Sequence, residues 1–218
     1  MTDSISNAVE RLNSQLPLKT RQLALPSELA NVHRATLTSL AKRGRPLNQA
    51  ELNECLDGSD ATAALKRLAS DDLVVLNAAG SEIVGAYPMT REETPHHLKV
   101  NKQPVNAMCA LDSLSVGPMF DAEIEISSRC HVTGTPITIH MQGETLQSVS
   151  PSPDVHVGVR WQNPSACAAH SMCLEMVFLK DQQTALEWQA GDSENTSLFK
   201  LQDAVAFGAG FFTPLLQG

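Results

Sequence analysis

The sequence predicts an α+β fold, with a winged-helix-like helical domain at residues 1–90 and a mixed α/β core at residues 91–218. The N-terminal third contains amphipathic segments separated by proline and glycine, a pattern typical of short helices. Two β-rich runs around a glycine-containing turn follow, which indicates a hairpin. Alternating apolar and polar residues recur in the second half, so we expect a small, largely antiparallel sheet there.

Capping residues set the limits of the predicted N-terminal helices. The first helix covers Ser6–Gln15, and Gly44 closes the second. N-cap signals mark the starts of three helices: Ser27 after Pro26, Asn48 with Glu51 three residues later, and Ser59 or Asp60.

The predicted hairpin pairs Leu73–Leu76 with Ile83–Tyr87. Helices followed by a hairpin are the order of a winged-helix module, which suggests DNA binding, and Lys42–Arg45 adds positive charge. Residues 1–90 nevertheless contain nine Lys and Arg against ten Asp and Glu, a net charge of −1. Because duplex binding normally needs a clearly basic face, we expect a scaffold module and no nucleic-acid partner.

The bulk composition is typical of a globular protein with a hydrophobic core. Hydrophobic residues make up 42% of the 218 residues, and no apolar run is long enough to predict a membrane span. The start of the chain lacks a basic and apolar leader, and the five cysteines are irregularly spaced. These features predict reduced thiols, a cytoplasmic location and no membrane association.

The second half is expected to mix short helices and strands after a proline-containing link that includes His96 and His97. A short helix is predicted over Cys109–Met119, and the apolar tail at Gly208–Phe212 is interrupted by glycine. The other predicted elements are strands at Glu123–Ile126, Ile137–His140 and Val155–Val159, and helices at Gln183–Gln189 and Leu198–Phe207.

Two cysteines and one aspartate are the candidate functional residues. If Cys109 opens a helix, Asp112 at position i+3 projects beside it. Cys173 lies 64 residues after Cys109, just ahead of the apolar run Met176–Leu179. Thiolates select soft metal ions by ligand type, and a neighbouring carboxylate can accept a thiol proton and later donate it. These three residues are therefore candidates for a soft-metal site with a proton relay.

Other kinds of site remain open on the residues alone. Cys55 and Cys130 are interpreted most simply as buried cysteines, and the spacing of Cys167 and Cys173 matches no zinc clip. A thioredoxin-type redox site would need Cys-x-x-Cys, which is absent. A cysteine hydrolase would need a histidine partner, which could be His131, His140, His156 or His170.

Two motifs carry more information together than any single residue. Asn106–Leu114 reads Asn-Ala-Met-Cys-Ala-Leu-Asp-Ser-Leu, and Ser127–Pro136 reads Ser-Ser-Arg-Cys-His-Val-Thr-Gly-Thr-Pro. They resemble the Cys-Ala-x-Asp and Ser-Ser-x-Cys-x-x-Thr-Gly-x-Pro motifs of the organomercurial (alkylmercury) lyases. That family has a further essential cysteine, which Cys173 matches, fifteen residues before Trp188. The resemblance covers roughly residues 40–212.

The resemblance implies an enzyme of mercury detoxification that cleaves carbon–mercury bonds by protonolysis, to a hydrocarbon and Hg(II). Cys109 and Cys173 would bind mercury, Asp112 would join them as proton relay and metal ligand, and Cys130 would be structural. The resemblance also implies an organomercurial substrate, no organic cofactor, Hg(II) as bound product, small-molecule thiols that remove it, and a hand-off to a mercuric reductase.

Two positions depart from the family pattern. Asn106 stands where an aromatic residue is usual, and Leu174–Val177 replaces a histidine-containing strand. We expect these changes to affect substrate range and efficiency rather than the reaction. The alternatives are a metal-responsive winged-helix transcription factor and a non-catalytic thiol-based metal carrier of the same fold. A carrier has no use for a proton relay, so Asp112 favours the enzyme.

Overall fold

The computed structural model describes residues 3–217. Three residues lie outside this range: Met1, Thr2 and Gly218. The predicted domains include all three, and the predicted leader-free start includes the first two. Within it the chain forms an α+β fold, as the sequence predicts, with eight α-helices and two antiparallel sheets. No helix in the described range is both long and apolar enough to cross a membrane.

Five helices build the N-terminal part, namely α1 (Asp3–Gln15), α2 (Leu18–Leu23), α3 (Ser27–Arg43), α4 (Gln49–Cys55) and α5 (Ala61–Ser70). Asn48 and Glu51 form the expected reciprocal capping box at α4, and Asp60 accepts N–H bonds from the first turn of α5. Gly44 ends α3 at a φ of 65°, a left-handed conformation that favours glycine. Ser27 is the first helical residue rather than the cap, and α2 was not predicted.

Eight strands form the larger sheet: β1 (Val75–Leu76), β2 (Ile83–Ala86), β3 (Met89–Thr90), β4 (His97–Val100), β5 (Gln103–Ala107), β6 (Glu123–Arg129), β7 (Pro136–Gln142) and β8 (Thr145–Ser150). Their order is β1-β2-β3-β5-β4-β6-β7-β8. The predicted hairpin is present as β1 and β2, but β3 connects it to β5, so the sheet is larger than expected. The larger sheet contains strands from both sides of residue 90, the predicted domain boundary. The division of the chain there and the winged-helix likeness remain predictions.

The remaining elements are α6 (Ala110–Phe120), β9 (His156–Arg160), β10 (Met176–Leu179), α7 (Gln182–Gln189), β11 (Thr196–Lys200) and α8 (Leu201–Phe212). β9 lies between β10 and β11 in a second sheet. The helix predicted from Leu198 is wrong in its first turn, because Leu198 pairs with Gly158 as part of β11. α8 continues through Gly208, where a Cβ would come within 2.3 Å of Ser115 Oγ, so glycine permits close packing on α6.

Helix α6 lies at the centre of the fold. Nine of its eleven residues are buried, including Asp112, Ser113 and Ser115, and a helix that is buried all round is a core helix. It contacts α8, β10 and the larger sheet. Its N-terminus therefore lies in the protein interior, beside β10 and the short 3-10 turn Met172–Glu175 that precedes that strand.

Candidate active site

Cys109 occupies the N-cap position of α6, directly after β5. Its backbone is extended, with φ −152° and ψ −179°, and its Sγ accepts a hydrogen bond of 3.3 Å from the backbone N–H of Asp112. The N-cap residue and the third helical residue face each other in this geometry. The spacing of three residues therefore brings the Asp112 carboxyl beside the Cys109 thiol, as the sequence predicts.

Cys173 reaches the same point from a distant part of the chain. It lies in the 3-10 turn before β10, and the first residue of that strand, Met176, places its Sδ 3.8 Å from Cys109 Sγ. One ligand atom each from Cys109, Asp112 and Cys173 lies within 4.8 Å of the other two, and all three residues are buried. The structure thus brings the three predicted residues into one cluster that a single soft ion could bridge.

Burial controls the acidity of the Asp112 carboxyl. The residue is 1% exposed, and its Oδ2 has no hydrogen-bond partner within the described residues. Desolvation raises the pKa of Asp112 to about 7, although interactions with the thiols of Cys109 and Cys173 act in the opposite direction. A carboxyl with this pKa is present in both its acid and its base form near neutral pH, which suits a group that must accept and donate a proton.

The two thiols differ in acidity. Burial raises the pKa of Cys109, and an interaction with the Cys173 thiol partly offsets that effect. The pKa of Cys173 is raised well above its usual value, first by its hydrogen bond to Cys109 and then by burial. Cys109 is in addition the N-cap of α6 and accepts the Asp112 N–H bond, and this geometry favours a thiolate at Cys109.

An apolar pocket of about 290 Å³ leads to Cys173. Met108, Met176 and Phe178 contribute to its lining. Leu174 also lines it and is 61% exposed, so this departure from the family pattern places an apolar side chain at the entrance. The pocket can receive an apolar organic group while a metal atom attached to it lies near the thiols.

Tyr87 and Asp72 form a buried polar network that sequence reasoning did not assign to the site. The Tyr87 hydroxyl donates to Asp72 Oδ1 at 2.9 Å and accepts from the Ala169 N–H at 2.8 Å. Asp72 Oδ2 accepts from the Ala168 N–H at 3.1 Å. The network holds the segment that precedes Cys173 against the N-terminal part. Its sequence signal is that Tyr87 is the sole tyrosine of the chain and lies within Gly85–Thr90, a stretch that shares the family resemblance.

The other three cysteines lie outside the cluster. Cys55 was predicted to be a buried core residue, but it is only partly buried and packs at the edge of the core, because it is the last residue of α4. The Cys167 Sγ lies 3.4 Å from the Tyr87 hydroxyl and is half-buried. Cys130 is buried; desolvation acts to raise its pKa, but hydrogen bonds from Thr133 and from backbone N–H groups lower it below its ordinary value. A structural role for Cys130 remains a prediction.

The chain is similar to proteins of one family. Residues 89–213, more than half of the chain, match the family model of alkylmercury lyase, MerB. An alkylmercury lyase of Streptomyces lividans is 25% identical over 187 residues, which cover 84% of this chain and 82% of that protein. An alkylmercury lyase of Bacillus cereus is 31% identical over 100 residues, 46% of this chain and 45% of that protein.

A solved structure has the same fold. The crystal structure of the mercury-bound form of MerB2 aligns with a TM-score of 0.75 over 91% of this chain and 98% of that chain. The sequence identity between the two is 22%, so this likeness concerns the fold alone.

Proposed function

The chain belongs to the alkylmercury lyase family, and we propose from this premise that Cys109, Asp112 and Cys173 are the residues that cleave the carbon–mercury bond. The protein is an organomercurial lyase, which converts an organomercurial to a hydrocarbon and Hg(II) by protonolysis. The observation that best supports these residues is their position in one buried cluster with ligand atoms within 4.8 Å.

In the proposed mechanism Cys109 binds mercury first. It is the N-cap residue of α6, and the Asp112 N–H bond to its sulfur favours the thiolate. The Cys109–mercury bond forms as the bond from mercury to its departing ligand breaks. Cys173 then adds a second thiolate, and the higher coordination of mercury moves electron density onto the attached carbon.

Asp112 moves the proton. Its basic form accepts a proton from a thiol that binds mercury, and its acid form then donates that proton to the carbon. The electron pair of the carbon–mercury bond becomes the new carbon–hydrogen bond, and Hg(II) remains on the two thiolates. The raised pKa of Asp112 supports this role, because a carboxylic acid can donate only when it is protonated.

Release of Hg(II) requires competing thiols. The cluster supplies two sulfur ligands and a proton, so the proposed reaction uses no organic cofactor. Small-molecule thiols displace the product because they offer the same soft donor atoms, and a mercuric reductase is the partner that would receive it. A cytoplasmic location is consistent with this supply of reduced thiols and remains a prediction.

The two alternatives receive less support. A transcription factor would use the basic segment Lys42–Arg45, but Arg43 and Arg45 both form ion pairs with Glu51, which reduces the positive charge available to DNA. A metal carrier would need the thiols only. The buried Asp112 carboxyl would then lower stability without a function.

The test compares wild type with Asp112→Asn. Benzene release from phenylmercury in excess thiol should fall by at least ~10²-fold, as is typical when a general acid–base group is removed. Hg(II) binding, measured by calorimetry in a thiol-buffered solution, should stay near wild type because both thiols remain. Benzene release at the wild-type rate would show that the proton comes from another group.

A further inference from the structure

The pocket that leads to Cys173 has an unusual charge for this part of the chain. Residues 91–218 contain seven Lys and Arg against fourteen Asp and Glu, a net charge of −7. None of the residues that line the pocket carries a carboxylate, and Arg129 is the one permanently charged residue among them. A neighbouring surface pocket differs, because Glu92 and Glu93 line it. The entrance to the thiols therefore favours an anion over a cation.

Arg129 is available to bind such an anion. It is the last residue of β6, it is exposed, and it lies opposite Pro136, which offers no acidic side chain. Its side chain makes no ion pair or hydrogen bond within residues 3–217. Other arginines of the chain do form ion pairs with carboxylates, namely Arg43, Arg45, Arg67 and Arg160.

The buried histidine of the pocket, His96, does not replace Arg129 as an anion ligand. His96 is buried, and desolvation lowers its pKa to about 4, so its ring is neutral at neutral pH. The His96 ring also contacts Phe178 and the Ser128 hydroxyl, which fixes it in the wall of the pocket. Arg129, whose planar fork matches a carboxylate, is therefore the side chain suited to an acidic group on an incoming molecule.

We propose that Arg129 binds a carboxylate on the incoming mercurial, and that the preferred substrates are therefore organomercury compounds with an anionic group. This inference rests on the proposed function. A soft ion in a solution of thiols is held as a thiolate adduct, so the carboxylate can belong to the thiol carrier or to the organic group. With a carrier, the protein thiol gives its proton to the carrier sulfur as the mercury–sulfur bonds exchange, and the carrier leaves as a free thiol.

The test uses one organic group on two carriers. Phenylmercury is supplied with mercaptopropionate, which is anionic, or with cysteamine, which is cationic. Arg129→Gln should raise KM for the mercaptopropionate adduct by roughly 5- to 10-fold, between the effects of exposed and of desolvated charge pairs. The KM for the cationic cysteamine adduct should not rise, since the substitution removes a like charge, and both kcat values should change little. Arg129→Lys should restore part of the loss, because it keeps the charge without the fork.

Arg91→Gln is the matched control, since it removes an exposed arginine that lines a different pocket. It should leave the ratio of the two KM values unchanged. Carboxyphenylmercury with neutral mercaptoethanol then distinguishes the source of the carboxylate: a KM effect of Arg129→Gln here assigns it to the organic group. Equal KM changes for all adducts, or none for any anionic one, would overturn the proposal.

A binding measurement keeps this inference separate from the proposed function. In the Asp112→Asn background, equilibrium dialysis should show weaker retention of the mercaptopropionate adduct when Arg129 is also replaced. That result holds whether or not the enzyme turns over. Absence of benzene release from wild type with every adduct would instead contradict the proposed function.

Discussion

The raised pKa of Asp112 predicts a specific dependence of protein stability on pH. Between the ordinary pKa of 3.8 and the folded value of about 7, the folded protein holds a proton that the unfolded chain has lost. The free energy of unfolding must therefore decrease as pH rises through this window. At 1.36 kcal/mol per pKa unit the full effect is about 4 kcal/mol, of which about 3 kcal/mol falls between about pH 5 and pH 8.

Asp112→Asn removes this effect because the amide has a similar shape and does not titrate. Urea unfolding of both proteins, without metal and with a reductant, gives the free energy of unfolding at each pH. His96, whose pKa burial lowers to about 4, is present in both proteins, so the difference between the two curves reports Asp112 together with its coupling to the two thiols. The free energy of unfolding of the variant, relative to that of wild type, should increase as pH rises. Parallel curves would mean that the Asp112 carboxyl is ionised in the folded protein, and the proton relay would lose its basis.

Three further predictions concern the cysteines, the Tyr87 hydroxyl and DNA binding. Cys109→Ser and Cys173→Ser should each abolish benzene release while retaining native circular dichroism, because a hydroxyl is a poor ligand for a soft ion; Cys167→Ser should remain active, and loss of activity there would mean that the wrong cysteine has been assigned. Tyr87→Phe should lower the free energy of unfolding by about 1–3 kcal/mol, since it leaves buried partners unsatisfied, and should reduce turnover by displacing Cys173; wild-type thermal stability would contradict this role. In filter binding at physiological salt, duplex DNA should bind only weakly and without sequence preference, whereas mercury-dependent selective binding would favour the transcription factor.

The sequence predicted contacts correctly where the interacting residues are close together in the chain. The capping box at Asn48 and Glu51 needs only a spacing of three residues, and so does the contact between Cys109 and Asp112. The β1–β2 hairpin is also local. Cys173 was a candidate from the residues alone, but no spacing rule connects it to Cys109, and the resemblance to a family supplied the stronger reason to place the two together.

Features that depend on tertiary packing could not be predicted in the same way. Cys173 joins the cluster because β10 packs beside α6. The Tyr87–Asp72 network depends on contacts with residues about 80 to 100 positions away, Ala168 and Ala169. The tail was expected to be broken by glycine, yet Gly208 lies inside α8 because that helix approaches α6 closely. Propensity is a weak prior where packing decides the conformation.

Burial has opposing effects on the three groups of the site. It raises the pKa of Asp112, which makes the carboxyl a proton donor, but it also raises the pKa values of Cys109 and Cys173, which opposes thiolate formation. Mercury resolves the conflict in the proposed mechanism, because metal binding to a thiol releases its proton. The ionised fraction of Asp112, with an unpartnered buried oxygen, lies beside the thiols to accept that proton. Binding of the substrate thus protonates the Asp112 carboxyl, and the resulting acid later donates that proton to the carbon. The unsatisfied Asp112 oxygen costs about 1–3 kcal/mol of stability, and this function explains why it is present.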